Sequence, residues 1–142
     1  MAKLVLGIAG GLLVALFVGW YVGASGQSDV TRTLAATEVR AELLGARAAV
    51  LDARIAIYSV NFGEASQHLE NARGLLRRAE ERFNRLAQDD NVKQVQAALG
   101  TIDDAQRMAG KLDQSANSRA GEAAKMLADL LRGTSTGAAS SR

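Results

Sequence analysis

One histidine and no cysteine occur among the 142 residues. Glu64 and His68 stand four apart, so on a helix both side chains share one face and could reach a single ion. A stable transition-metal site takes three or four such ligands, and no second imidazole or thiol exists to complete one. The Glu-x-x-His spacing of di-iron bundles is absent as well. There is no glycine-rich loop of nucleotide-binding form. The expectation is a chain without catalytic, cofactor-binding or metal-binding residues and without a small-molecule substrate.

The remaining chemistry is that of charge. Seventeen Lys and Arg face fifteen Asp and Glu, and thirteen of the basic residues are arginine. Nucleic-acid binding needs a clustered basic excess on one face, which a formal charge of +2 does not supply. Arg40, Arg47 and Arg54 are spaced by seven and flank an apolar seam. Such a row forms salt bridges to a neighbouring helix, stays solvated, or docks an acidic partner through arginine's planar fork.

These side chains must be carried by helices, and the first segment is of another kind. Between Leu4 and Val22 nineteen residues pass without a charge, about 28 Å of helix, close to the hydrocarbon thickness of a bilayer. Gly7, Gly11, Ala15, Gly19 and Gly23 recur at every fourth position. On a helix they line one groove, into which another transmembrane helix packs closely. Trp20 and Tyr21 close the span as a membrane-interface pair. A secretory h-region is shorter than this run, so the segment is expected to remain as an anchor. Lys3 precedes the span and Arg32 and Arg40 follow it, which leaves the flanking-charge tally undecided. The expected placement is N-terminus in and the larger part outside, in the periplasm of a bacterial host.

Residues 24–28 read as a flexible polar joint, and no proline follows. Three apolar runs with alternating steps of three and four come after it. The first is Val30, Leu34, Thr37, Ala41, Leu44, Ala48, Leu51, Ile55, Tyr58 and Phe62. The second runs from Ala65 through Leu69, Ala72, Leu76, Ala79 and Phe83 to Leu86. The third runs from Val92 through Val95, Leu99, Ile102, Ala105, Ala109, Leu112, Ala116, Ala120, Ala123 and Leu127 to Leu130. They predict helices over about 29–61, 64–88 and 91–132, with a polar tail over 133–142 expected to lack structure of its own. Gly63 is expected to end the first helix in the left-handed conformation, the alternative being one unbroken helix over about 29–88, and Asp90 or Asn91 to cap the third. The stretch from Tyr58 to Ala72 resembles the turn and second helix of a tetratricopeptide hairpin. No repeat follows it, and the resemblance carries no function.

The fold expected is all-α: an N-terminal transmembrane helix over residues 1–23, then a three-helix antiparallel coiled-coil-like bundle over 29–132. The function expected is a non-catalytic accessory subunit that packs through its small-residue stripe into a respiratory, photosynthetic or envelope membrane complex. Its partners would be the membrane and other membrane-protein subunits. The alternative is a self-associating envelope tether or signalling coiled coil, with a second copy as partner.

Overall fold

The computed structural model describes residues 33–139, with side chains through residue 135. The anchor expected at 1–23, the joint at 24–28 and the last three residues lie outside the described residues. Among those described, no helix is long and apolar enough to cross a membrane. The chain divides into two units, Met1–Ala36 and Thr37–Arg142. Of the first, only residues 33–36 are described, and they are helical.

The described residues of the second unit are all-helical and form four helices, where the spacing predicts three. Helix α1 covers residues 37–58 of this unit, α2 Phe62–Arg85, α3 Asp89–Gly110 and α4 Ala116–Ala139. Cross-helix side-chain contacts fix their order. On α1 and α2, Glu42 meets Arg82 while Gly45 faces Leu75. Arg73 with Asp103, and Glu80 with Gln96, join α2 to α3. Asp104 with Arg119, and Thr101 with Met126, join α3 to α4. Arg40 with Ser135, and Arg54 with Asn117, close α4 back onto α1. In each pair one residue number rises as the other falls, so all four neighbours run antiparallel.

Three sharp turns make this possible, and all use one device. After α1, the N–H of Asn61 donates to the carbonyl of Ala56 and that of Val60 to Ile57. The N–H groups of Gln88 and Ala87 donate likewise to Phe83 and Asn84, and those of Asp113 and Leu112 to Met108 and Ala109. This paired pattern is the Schellman motif, which needs a residue of positive φ just past the helix. That residue is Val60 (φ 61°), Ala87 (φ 52°) and Leu112 (φ 58°), never glycine.

The missed turn follows from this choice. Leu112 keeps the three–four spacing of its neighbours and reads as core, yet it occupies the left-handed position and is 69% exposed. Asp113 then accepts a hydrogen bond from the backbone N–H of Ser115 at 2.8 Å, which holds the chain in a turn before α4. Gly63, expected to terminate the first helix, instead lies in the first turn of α2. There Asn61 caps the helix: its Oδ1 accepts from the N–H of Glu64 at 3.3 Å, while its Nδ2 donates to Glu64 Oε2 at 2.7 Å. Helix α3 begins at Asp89, ahead of the expected Asp90 or Asn91 cap; Gln88 at its N-cap accepts no bond from the helix's backbone amides, its Oε1 accepting instead from Asn91 Nδ2 at 2.8 Å. The polar segment after Arg132 is helical through Ala139. Its hydroxyls bond inward, Thr134 and Ser135 both donating to the carbonyl of Leu131.

A single core draws on all four helices. Leu43 and Val50 of α1 meet Leu69, Leu76 and Phe83 of α2, Val95 and Ile102 of α3, and Leu127 and Leu130 of α4. Alanines fill the spaces between them, including Ala46, Ala72, Ala105 and Ala123, so the helices approach closely. A smaller cluster of Ile57, Phe62, Ala65, Ala109 and Ala116 seals the end where the first and third turns lie.

Candidate interaction surface on helix α1

The predicted second run is buried from Ala65 to Phe83, and the third is buried at Val92, Val95, Ile102, Ala105 and Ala109 and again from Ala116 to Leu130. Leu112 apart, the misplaced residues belong to the first run, of whose described residues Phe62 alone is buried, at the start of α2. Ala49 and Ala56 of α1 are buried at the edge of the core, whose main run on this helix is Val39, Leu43, Ala46, Val50, Ala53 and Ile57. Their steps also alternate between four and three, but they sit two positions from the predicted run. Two residues turn a helix by about 200°, so the two runs lie on opposite faces. The predicted run, continuing as Thr37, Ala41, Leu44, Ala48, Leu51, Ile55 and Tyr58, faces outward. Ile55 is 66% and Tyr58 83% exposed, Leu44 is exposed, and only Leu51 leans against the core. A helix apolar on one side is normally satisfied by its own domain; α1 is apolar on both.

The charged rows beside this outer face are held unequally. Arg40 donates to Ser135 Oγ at 2.6 Å. Arg54 donates from Nε to Asn117 Oδ1 at 3.0 Å, and its guanidinium covers Gly121, where a Cβ would lie 3.4 Å from Cζ. Two of the three arginines expected on the flank therefore tie α1 to α4. Between them, Arg47 has a buried Nε with no hydrogen-bond partner. On the other flank, Glu38 and the buried Glu42 both engage Arg82, the latter through both carboxylate oxygens at 3.1 Å. These contacts, the Glu42 bond foremost, hold the Arg82 guanidinium above its ordinary pKa. Asp52 is exposed and makes no ion pair among the described residues.

Sequence spacing missed the ties between helices. Glu38 and Glu42 lie four apart on α1, as do Arg78 and Arg82 on α2, so each pair shares a helix face and could have signalled this α1–α2 contact. At the other side, Arg119 bridges Asp104 at 2.7 Å and Glu122 at 2.6 Å. That arginine's hydrogen bond, aided by the nearby charge of Arg107, holds the Asp104 carboxyl below the usual range. The backbone N–H of Ser115 does the same for Asp113.

Glu64 and His68 do meet, at 3.6 Å on the half-exposed side of α2. Among the described residues no three His, Asp or Glu side chains converge as a metal would require. A shallow hollow of about 400 Å³ is lined by Arg73, Asp103, Gln106 and Arg107, but Arg73 already bonds Asp103 and Arg107 bonds Asp104. The outer face of α1 is therefore the surface whose composition the bundle does not explain. Gly7, Gly11, Ala15, Gly19, Gly23, Trp20 and Tyr21 lie outside the described residues. No family model, curated protein or solved structure matches the chain.

Proposed function

We propose that this chain is a non-catalytic accessory subunit, anchored by one N-terminal membrane span and packed through it into a larger membrane-protein complex. One observation carries the reading: the uncharged run from Leu4 to Val22, with Gly7, Gly11, Ala15, Gly19 and Gly23 in a single helical register. Lipid tails gain little against such a groove, whereas a second helix gains close van der Waals contact along its length. Trp20 and Tyr21 would lie at the interface, and the four-helix unit would work in the aqueous phase, in the periplasm of a bacterial host. The outer face of α1 supports a binding role for that unit.

The test is purification of the full chain from its native membranes in mild detergent, with mass spectrometry of what co-purifies. The expected result is a defined set of membrane proteins at fixed stoichiometry, lost in Gly11→Ile and Gly19→Ile chains that still insert. Extraction of the wild-type chain by alkaline carbonate would remove the anchor, and recovery of the chain alone would remove the accessory role.

A further inference from the structure

We infer that the outer face of α1 pairs with the same face of a second copy, the two helices running parallel and in register. This goes beyond the accessory role and does not depend on it, since every residue involved belongs to the four-helix unit.

The argument for a helical partner is the spacing. Thr37, Ala41, Leu44, Ala48, Leu51, Ile55 and Tyr58 keep alternating steps of four and three for three heptads. A face turned to water has no reason to keep that period, and a left-handed two-helix seam requires it. In heptad terms Ala41, Ala48 and Ile55 take position a, and Thr37, Leu44, Leu51 and Tyr58 take position d. The bundle's own core draws on the opposite run, from Val39 to Ile57, and of the outer seam's large apolar residues only Leu51 leans against that core.

Charge identifies the partner and its direction. Position g holds Arg40, Arg47 and Arg54; position e holds Glu38, Gly45 and Asp52. One flank is basic and the other acidic. Two parallel copies bring each g beside the e position five residues further along the partner, so Arg47 of each meets Asp52 of the other. These are the two charges that α2 and α4 leave unengaged: Arg47 has an orphaned Nε and Asp52 no ion pair, while Arg40, Arg54 and Glu38 already bond within the chain. An antiparallel pair would instead set arginines against arginines and acids against acids. The seam is therefore self-complementary in one direction only, as a two-fold interface between identical copies demands.

Because the chain has no native cysteine, single cysteines report the pairing cleanly. The full-length chain in membranes carries either Ala41→Cys or Ile55→Cys, both at exposed sites, and is oxidised. Parallel register places each cysteine beside its own copy, so both variants should form disulfide-linked dimers, while Gly100→Cys on α3 should not. Adding Ile55→Glu to the Ala41→Cys chain should abolish its dimer with helicity by circular dichroism unchanged. Arg47→Asp should weaken it, and Arg47→Asp combined with Asp52→Arg should restore it. The Ala41 cross-link should also persist in the Gly11→Ile, Gly19→Ile background.

Several results would overturn the inference. One is no dimer at either cysteine. Another is a cross-link only between residue 41 of one copy and residue 55 of another, the mark of an antiparallel pair. Insensitivity to Ile55→Glu, or failure of the charge swap to restore the dimer, would do the same. Loss of the cross-link in the glycine variants would move the pairing to the bilayer stripe.

Discussion

Val60 is a β-branched residue at φ 61° with its side chain 64% exposed. At the left-handed conformation Cβ crowds the following carbonyl, at a cost of about 1–2 kcal/mol, and nothing buried compensates for it. Val60→Gly should therefore stabilise the unit, the gain reduced by glycine's greater freedom when unfolded to about 1 kcal/mol. A raised thermal midpoint in detergent checks this; a lowered one would show that the valine makes a contact worth more than its strain. The turns were hard to read because the residue types that usually mark this conformation are elsewhere: Gly63 and Gly110 sit inside helices while Val60, Ala87 and Leu112 take the bend. Acid should also act through single residues. Asp104 and Asp113 have carboxyls held below their ordinary range, so their contribution is present above the unfolded value of about 3.9 and is lost as pH falls through the lower folded values. The thermal midpoint should fall between about pH 4 and pH 2, and fall less in an Asp104→Asn, Asp113→Asn chain. Equal losses in both proteins would place the acid sensitivity in other carboxyls.

Among the elements, α2 was the most legible and α1 the least. In α2 the apolar residues occupy one stripe, with charges such as Arg77, Arg78 and Glu81 outside it, so one phase fits the sequence. Helix α1 carries two stripes of equal regularity, and period alone cannot say which of two opposite faces meets the core. The run with the larger side chains, Leu44, Ile55 and Tyr58, lies outside, and the core takes the run ending in Val50, Ala53 and Ile57. With that run inward, Glu38 and Glu42 reach Arg82 and Arg40 and Arg54 reach α4, ties between residues far apart in sequence that a helical period does not register. Paired substitutions, read by urea titration, separate the faces. Leu76→Ala, in a fully buried site, should cost about 2–5 kcal/mol. Leu44→Ala, read in detergent dilute enough to hold single copies, should cost less than about 0.5 kcal/mol. A large loss at Leu44 under those conditions would return the predicted seam to the core. In α3, Gly100 is helical and exposed, with open space where a methyl group would project. Gly100→Ala should therefore add about 0.5–1 kcal/mol in the same titration.

On the scale of the whole unit, the four helices share one core, and this has a consequence for how the protein comes apart. Alanine supplies much of that core, so any two helices bury little area between them. No pair has enough to stand alone, and each helix also gives polar ties to both of its neighbours: Arg82 to α1, Arg73 to α3, Arg119 from α4 to α3, and Arg54 from α1 to α4. Removing any one helix would expose the core residues of the other three and orphan charged groups on two sides. The unit should then open as a whole, with no stable three-helix remainder even though the sequence divides most readily into three. Native-state hydrogen exchange read by mass spectrometry checks this. The most protected amides around Leu43, Leu76, Ile102 and Leu127 should converge on one opening free energy, and Leu127→Ala in α4 should lower protection around Leu43 in α1 as much as around Leu127 itself. Exchange of α4 at a distinctly lower free energy, with the other three helices still protected, would make it a separable arm. It would also mean that the turn over residues 111–115 is a hinge and not a closure.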